Sequence, residues 1–128
     1  MINNKLRLEL LVIKENEIYE LDGLKFSNSI FLRPIIDEQD ILNYEEFLGS
    51  VIVLNQLVQS TNNSGKYLIF TCACGIADDS GWELVNVTKT EDSLFWKFTR
   101  NNRQYSYKFE LSEYIDQIKL IQKKNRKL

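Results

Sequence analysis

Between Leu94 and Phe109 a large apolar side chain falls at every second position on both sides of Asn101-Asn102: Leu94, Trp96 and Phe98 before it, Tyr105, Tyr107 and Phe109 after it. Successive side chains of a strand point to opposite faces, so this spacing describes two half-buried strands joined by a tight turn. A strand from Trp82 to Thr88 precedes them across the turn Glu91-Asp92, and the three form an antiparallel meander. The same alternation opens the chain, with Leu6, Leu8, Leu10 and Val12 on one side and Lys5, Arg7 and Glu9 on the other. Glu17 to Phe26 reads as a hairpin about Asp22-Gly23. Ser29 to Ile36 reads as a strand bent by Pro34, and Lys66 to Thr71 as a buried strand.

From Glu38 to about Asn62 the period changes. Ile41, Tyr44, Leu48, Val51, Leu54 or Asn55, and Val58 fall at helical spacing, Asp37 is placed to cap the first turn, and Thr61 to Gly65 is a stop. Ser112 and Glu113 begin a last helix carrying Tyr114 or Ile115, Ile118 and Ile121. The expected fold is α+β: an antiparallel β-sheet of about five to seven strands covered by a long central helix and a C-terminal helix. At this length residues 1–128 make a single domain, with a basic, frayed tail over 123–128.

The chain contains no histidine. Ser–His–Asp and Cys–His triads and histidine-based nuclease chemistry are therefore excluded, while carboxylate-only chemistry remains open. Met1 to Leu10 alternates charge with leucine and lacks the apolar run of a secretory signal. The stretch Phe47 to Thr61 is too polar and too short to span a bilayer. Cys72 and Cys74 stand one residue apart, a poor geometry for a structural disulfide. The expectation is a cytoplasmic protein with no membrane partner.

Charge is uneven along the chain. From Pro34 to Thr88 eight carboxylates (Asp37, Glu38, Asp40, Glu45, Glu46, Asp78, Asp79 and Glu83) stand against Lys66 alone, while Lys123, Lys124, Arg126 and Lys127 crowd the end. An acidic body suits a basic partner and lacks the broad basic face a nucleic-acid binder needs. A soluble surface with a lysine-rich end accounts for the same pattern. Tyr105, Tyr107, Phe95 and Trp96 could stack bases, but Lys97, Arg100, Arg103 and Lys108 are scattered in the sequence, and core packing explains the aromatics. No nucleic-acid partner is expected.

The segment Cys72 to Trp82 gathers two thiols and the carboxylates of Asp78 and Asp79. Zinc sites commonly pair four Cys or His ligands two to four residues apart, and this spacing falls short of that. Adjacent aspartates in a glycine-flanked loop also point different ways, which disfavours an acid–base pair. No metal, cofactor or catalytic residue is expected. The reading that remains is an exposed acidic loop flanked by Trp82, available to a basic partner.

The run Lys66 to Gly75 resembles a motif of short bacterial proteins in which a strand ends in Phe-Thr-Cys-x-Cys-Gly. A further cysteine and glycine follow in the loop, then a β-hairpin bearing a tryptophan. Cys72, Cys74, Gly75, Gly81 and Trp96 match that pattern, and Asp79 stands where the third cysteine would be. The resemblance extends over roughly Asp40 to Ile121. Such proteins are similar in size and acidity to the immunity proteins of contact-dependent inhibition and related toxin systems. The resemblance implies stoichiometric occlusion of a cognate toxin domain; the acidic segment adds the expectation that this partner is basic, a nuclease, met at Glu45, Glu46, Asp78, Asp79, Trp82 and Glu83. Two alternatives stay open: a ligand-binding or regulatory module with a pocket between the sheet and the long helix, and a metal-binding protein built on the Cys72/Cys74 loop.

Overall fold

The computed structural model describes residues 3–21, 23–72 and 84–127. Strand β1 (Leu6–Ile13) pairs antiparallel with β4 (Ser29–Ile36) along its whole length, from Leu6 opposite Ile36 to Ile13 opposite Ser29. The small hairpin of β2 (Tyr19–Leu21) and β3 (Leu24–Phe26) lies between them in sequence, and Gly23 supplies the positive φ of +82° at its turn. Because paired residues share a face, Leu6, Leu8, Leu32 and Ile36 all point into the core.

A four-stranded antiparallel sheet forms the second half. Its order is β11 (Arg103–Glu110), β10 (Ser93–Arg100), β9 (Val85–Lys89) and β7 (Gly65–Tyr67). Asn101 and Asn102, with φ of 50° and 62°, make the two-residue turn between β10 and β11. The inner face of this sheet carries Val85, Val87, Leu94, Trp96, Phe98 and Phe109, all buried.

Helix α2 (Leu111–Arg126) packs on β1, β10 and β11 and buries Tyr114, Ile118 and Ile121. Glu113 in its first turn and Lys123, Lys124 and Arg126 in its last complement the helix dipole. Gln117 Oε1 accepts the Leu8 N–H at 2.9 Å, fastening the helix to the free edge of β1. A buried polar chain ties the helix to the sheet: Trp96 Nε1–H donates to Tyr114 Oη at 3.1 Å, and Tyr114 Oη lies 2.7 Å from Ser60 Oγ.

The long central helix is overturned. Asp37 and Glu38 have φ of 52° and 67° and form a two-residue hairpin turn from β4 to β5 (Gln39–Asp40), so they do not start a helix. Two 3-10 turns follow, Ile41–Asn43 and Glu45–Phe47, separated by the extended Tyr44. Then comes β6 (Ser50–Ile52), paired antiparallel with β8 (Phe70–Cys72). The only α-helical part of the segment is α1 (Leu54–Gln59). Two features outweighed the helical period. The β-branched pair Val51-Ile52 found a partner strand eighteen or more residues away, and Gly49 takes a φ of +81° just before it. The stripe is broken at Leu48, which is 65% exposed while its neighbour Phe47 is fully buried. The pocket expected between sheet and long helix has no such helix to form it.

The strands also form several sheets, not one; among the described residues there are one of four strands, one of three and two of two. Lys66 to Thr71, expected as a single strand, divides at Leu68-Ile69 into β7 and β8, which belong to different sheets. The meander, the opening strands and the C-terminal helix form as expected, except that the alternation of β1 reverses at its end, where Ile13 is buried and Val12 exposed. Among the described residues no helix is long and apolar enough to cross a membrane.

Candidate functional site

Of the residues expected to contact a partner, Glu45 and Glu46 lie within the described structure; Asp78, Asp79, Trp82 and Glu83 lie outside the described residues, as does Cys74. Cys72 ends β8 and is buried, opposite Ser50 of β6. Among the described residues no three Cys, Asp or Glu side chains converge on a point that would hold a metal.

Glu45 and Glu46 occupy the second 3-10 turn, and Phe47 explains its shape. The Phe47 ring is fully buried, edge-on to Phe98 at 6.1 Å and Tyr105 at 5.2 Å and tilted against Phe70 at 5.4 Å. With Phe47 driven into the aromatic core, the residues two before and one after it turn outward. Glu45 is exposed, and so is Leu48. The Ser50 hydroxyl donates to the Phe47 carbonyl and closes the turn.

Glu46 is held at both ends. Its carboxylate meets Arg103 Nη1 at 3.2 Å and its carbonyl accepts from Arg100 Nε at 3.0 Å. The two arginines flank the β10–β11 turn, so a hairpin remote in sequence grips this turn. The Glu46 side chain is 19% exposed. Burial, and then the Glu46 carboxylate, push the Tyr105 hydroxyl pKa up, so that phenol stays neutral at working pH. Burial likewise lowers the Arg100 pKa, opposed by the adjacent Cys72, without removing its charge at neutral pH.

The other acids of this segment are engaged too. Asp37 accepts from the Lys5 backbone N–H at 2.8 Å and from Asn4 Nδ2 at 2.7 Å. Glu38 pairs with Arg7 at 3.5 Å and Asp40 with Arg33 at 2.7 Å; Asp40 also accepts the Leu42 N–H at 3.0 Å, capping the first 3-10 turn. Among the described residues Glu45 is the one carboxylate of Pro34 to Thr88 with neither an ion pair nor a hydrogen bond. The acidic run in the sequence is therefore largely neutralised in space by bases from other strands.

Sequence reasoning missed Leu48, which the helical stripe assigned to the core. It missed a cleft of about 330 Å³ beside it as well, bounded by Tyr19 and Leu21 of the small hairpin, Arg33, Leu42, Leu48 and Ser50. The signal for Leu48 was local: Phe47 and Leu48 are adjacent, and once the segment is not a helix one of them must face out. Arg33 in the cleft is held by Asp40 and by Asn43 Oδ1 at 3.0 Å. The arrangement offers a fixed exposed leucine, an unpaired glutamate and an adjoining hollow large enough for one or two side chains.

No family model, no curated protein and no solved structure matches this chain.

Proposed function

We propose that this chain is a protein-binding domain that neutralises its partner by stoichiometric occlusion, as an immunity protein neutralises its toxin domain in the cytoplasm. The observation that carries the reading is the Glu45–Leu48 turn. An exposed leucine beside an unpaired carboxylate is held rigid by a fully buried phenylalanine and a two-arginine clamp. Binding energy concentrates where an apolar anchor on a preorganised element is rimmed by polar groups, because little entropy is lost on contact. In this reading Leu48 is the anchor, Glu45 meets a basic side chain of the partner, and Glu46 is a positioning residue. The resemblance at Cys72, Cys74, Gly75, Gly81 and Trp96 supports the toxin–immunity form of the proposal.

The test begins with the reading frame directly upstream. Its C-terminal region is expressed in a sensitive host with and without this chain. Rescue of growth together with co-purification supports the proposal, and a harmless neighbour or absent rescue counts against it. Loss of a central anchor costs about 2 kcal/mol or more, roughly thirty-fold in affinity. Leu48→Asp and Glu45→Lys should each reach that loss without lowering the melting temperature. If both variants bind as well as the native chain, the turn is not the contact surface.

A further inference from the structure

We propose that the outer face of the four-stranded sheet binds single-stranded nucleic acid. Charge counts along the chain argue against such a partner because no basic run exists; the sheet assembles a basic face from separate strands. The pairing register sets Lys66 opposite Asn86, Asn86 opposite Lys97, and Lys97 opposite Ser106, one row across all four strands. The next row is Thr88, Phe95 and Lys108. Thr99 and Gln104 form the row on the other side, with the exposed Leu84 beside it. All of these residues alternate with the buried Val85, Val87, Trp96 and Phe98, so they share the face turned away from the core.

Those three rows contain three lysines and no carboxylate among the described residues; at the Lys108 end, Glu110 of the row beyond and Glu91 and Asp92 of the preceding turn line a hollow with that lysine. Lys66, Lys97 and Lys108 have no carboxylate within 4 Å among the described residues. Lys66 and Lys97 stand two strand spacings apart, about 10 Å, a distance at which their repulsion is only partly screened. An anion laid along the row would relieve it.

The neutral groups decide which polyanion. Asn86, Thr88, Thr99, Gln104 and Ser106 supply hydrogen-bonding groups between the lysines, and Phe95 supplies a ring, with Lys108 Nζ 5.8 Å from its centroid. A hollow of about 510 Å³ lies over Lys66, Asn86, Lys97 and Gln104, large enough for a nucleotide. Lysines along a sheet, hydrogen-bonding side chains and an aromatic platform are the parts that hold unpaired bases, whose rings a duplex would hide. This face is opposite the Glu45–Leu48 turn, since Phe47 packs against the inner-face residues Phe98 and Tyr105. The two surfaces can therefore be tested separately.

The experiment is fluorescence anisotropy of the full chain with a labelled uridine oligonucleotide of about ten residues. Three lysine–phosphate contacts imply a slope of log K on log salt of about −2, so raising salt from about 50 to 200 mM should weaken binding roughly twenty-fold. Lys97→Gln and Lys66→Gln should each weaken binding and make the slope shallower by about 0.7, while Lys119→Gln on the exposed side of α2 leaves both unchanged. Phe95→Leu should lose at least about five-fold and Phe95→Tyr should recover it, a pattern expected of stacking and not of packing alone. Thermal melts confirm that each variant is folded. No binding at low salt overturns the proposal, as does binding unchanged by both lysine variants. Equal competition by polyglutamate also overturns it, because the face would then serve an acidic protein.

Discussion

Replacing Tyr114 by Phe removes one oxygen from the centre of the molecule, and the structure allows its cost to be worked out. Ser60 Oγ donates its only proton to the Leu57 carbonyl, so in the 2.7 Å contact with Tyr114 the phenol is the donor. The same oxygen accepts from Trp96 Nε1 at 3.1 Å. Trp96 is 1% exposed and its indole N–H has no other hydrogen-bond partner among the described residues. The substitution therefore orphans one buried donor, at a cost of about 1–3 kcal/mol, while Ser60 loses an accepted bond and keeps its donated one. A loss near 2 kcal/mol should lower the melting temperature by about 6–10 °C in a domain of this size. Urea unfolding followed by tryptophan fluorescence gives the number directly, with the midpoint falling at constant slope. Ser60→Ala alone should cost less, and the double variant should cost less than the two singles together, because both act on one hydrogen-bonded chain. A Tyr114→Phe midpoint within about 0.5 kcal/mol of the native chain would refute the claim that this network holds the helix to the sheet.

Three further outcomes follow from the same packing. Burial pushes the Tyr114 pKa up to about 12, and burial also raises that of Tyr107. A raised folded pKa means stability is intact below the ordinary tyrosine value of about 10 and is lost as pH climbs towards the folded value. Urea midpoints should therefore fall between about pH 10 and 12, by an amount of order 3 kcal/mol for Tyr114, and less steeply in Tyr114→Phe. Phe47→Ala should cost about 3–5 kcal/mol in urea unfolding, whereas Leu48→Ser beside it stays within about 0.5 kcal/mol, since one ring is fully buried and the other side chain is out. Asn102→Val, at a φ of 62°, should cost about 1–2 kcal/mol in a thermal melt, and Asn102→Gly should be close to neutral; equal effects would contradict the positive-φ turn.

What was legible in the sequence was what a strand or helix displays locally. Alternation at Leu6 to Leu10 and at Leu94 to Phe109 specified strands, Gly23 and the Asn101-Asn102 pair specified turns, and Tyr114, Ile118 and Ile121 specified the face of the last helix, because each signal is complete within a few residues. Glu38 to Asn62 was not legible in that way. Its apolar spacing fits a helix, yet Ser50–Ile52 takes its hydrogen bonds from Phe70–Cys72, and no local pattern announces a partner strand so far along the chain. Charge followed the same rule. The sequence determined how many acids the segment holds, but Arg7, Arg33 and Arg103, brought in by other strands, decided that Glu45 alone among its described members stays unpaired. Lysines at positions 66, 97 and 108 became neighbours only through strand register. Local stereochemistry selects elements one at a time, whereas a surface is made by residues that meet only after the chain has folded, and both proposed binding faces belong to that second kind.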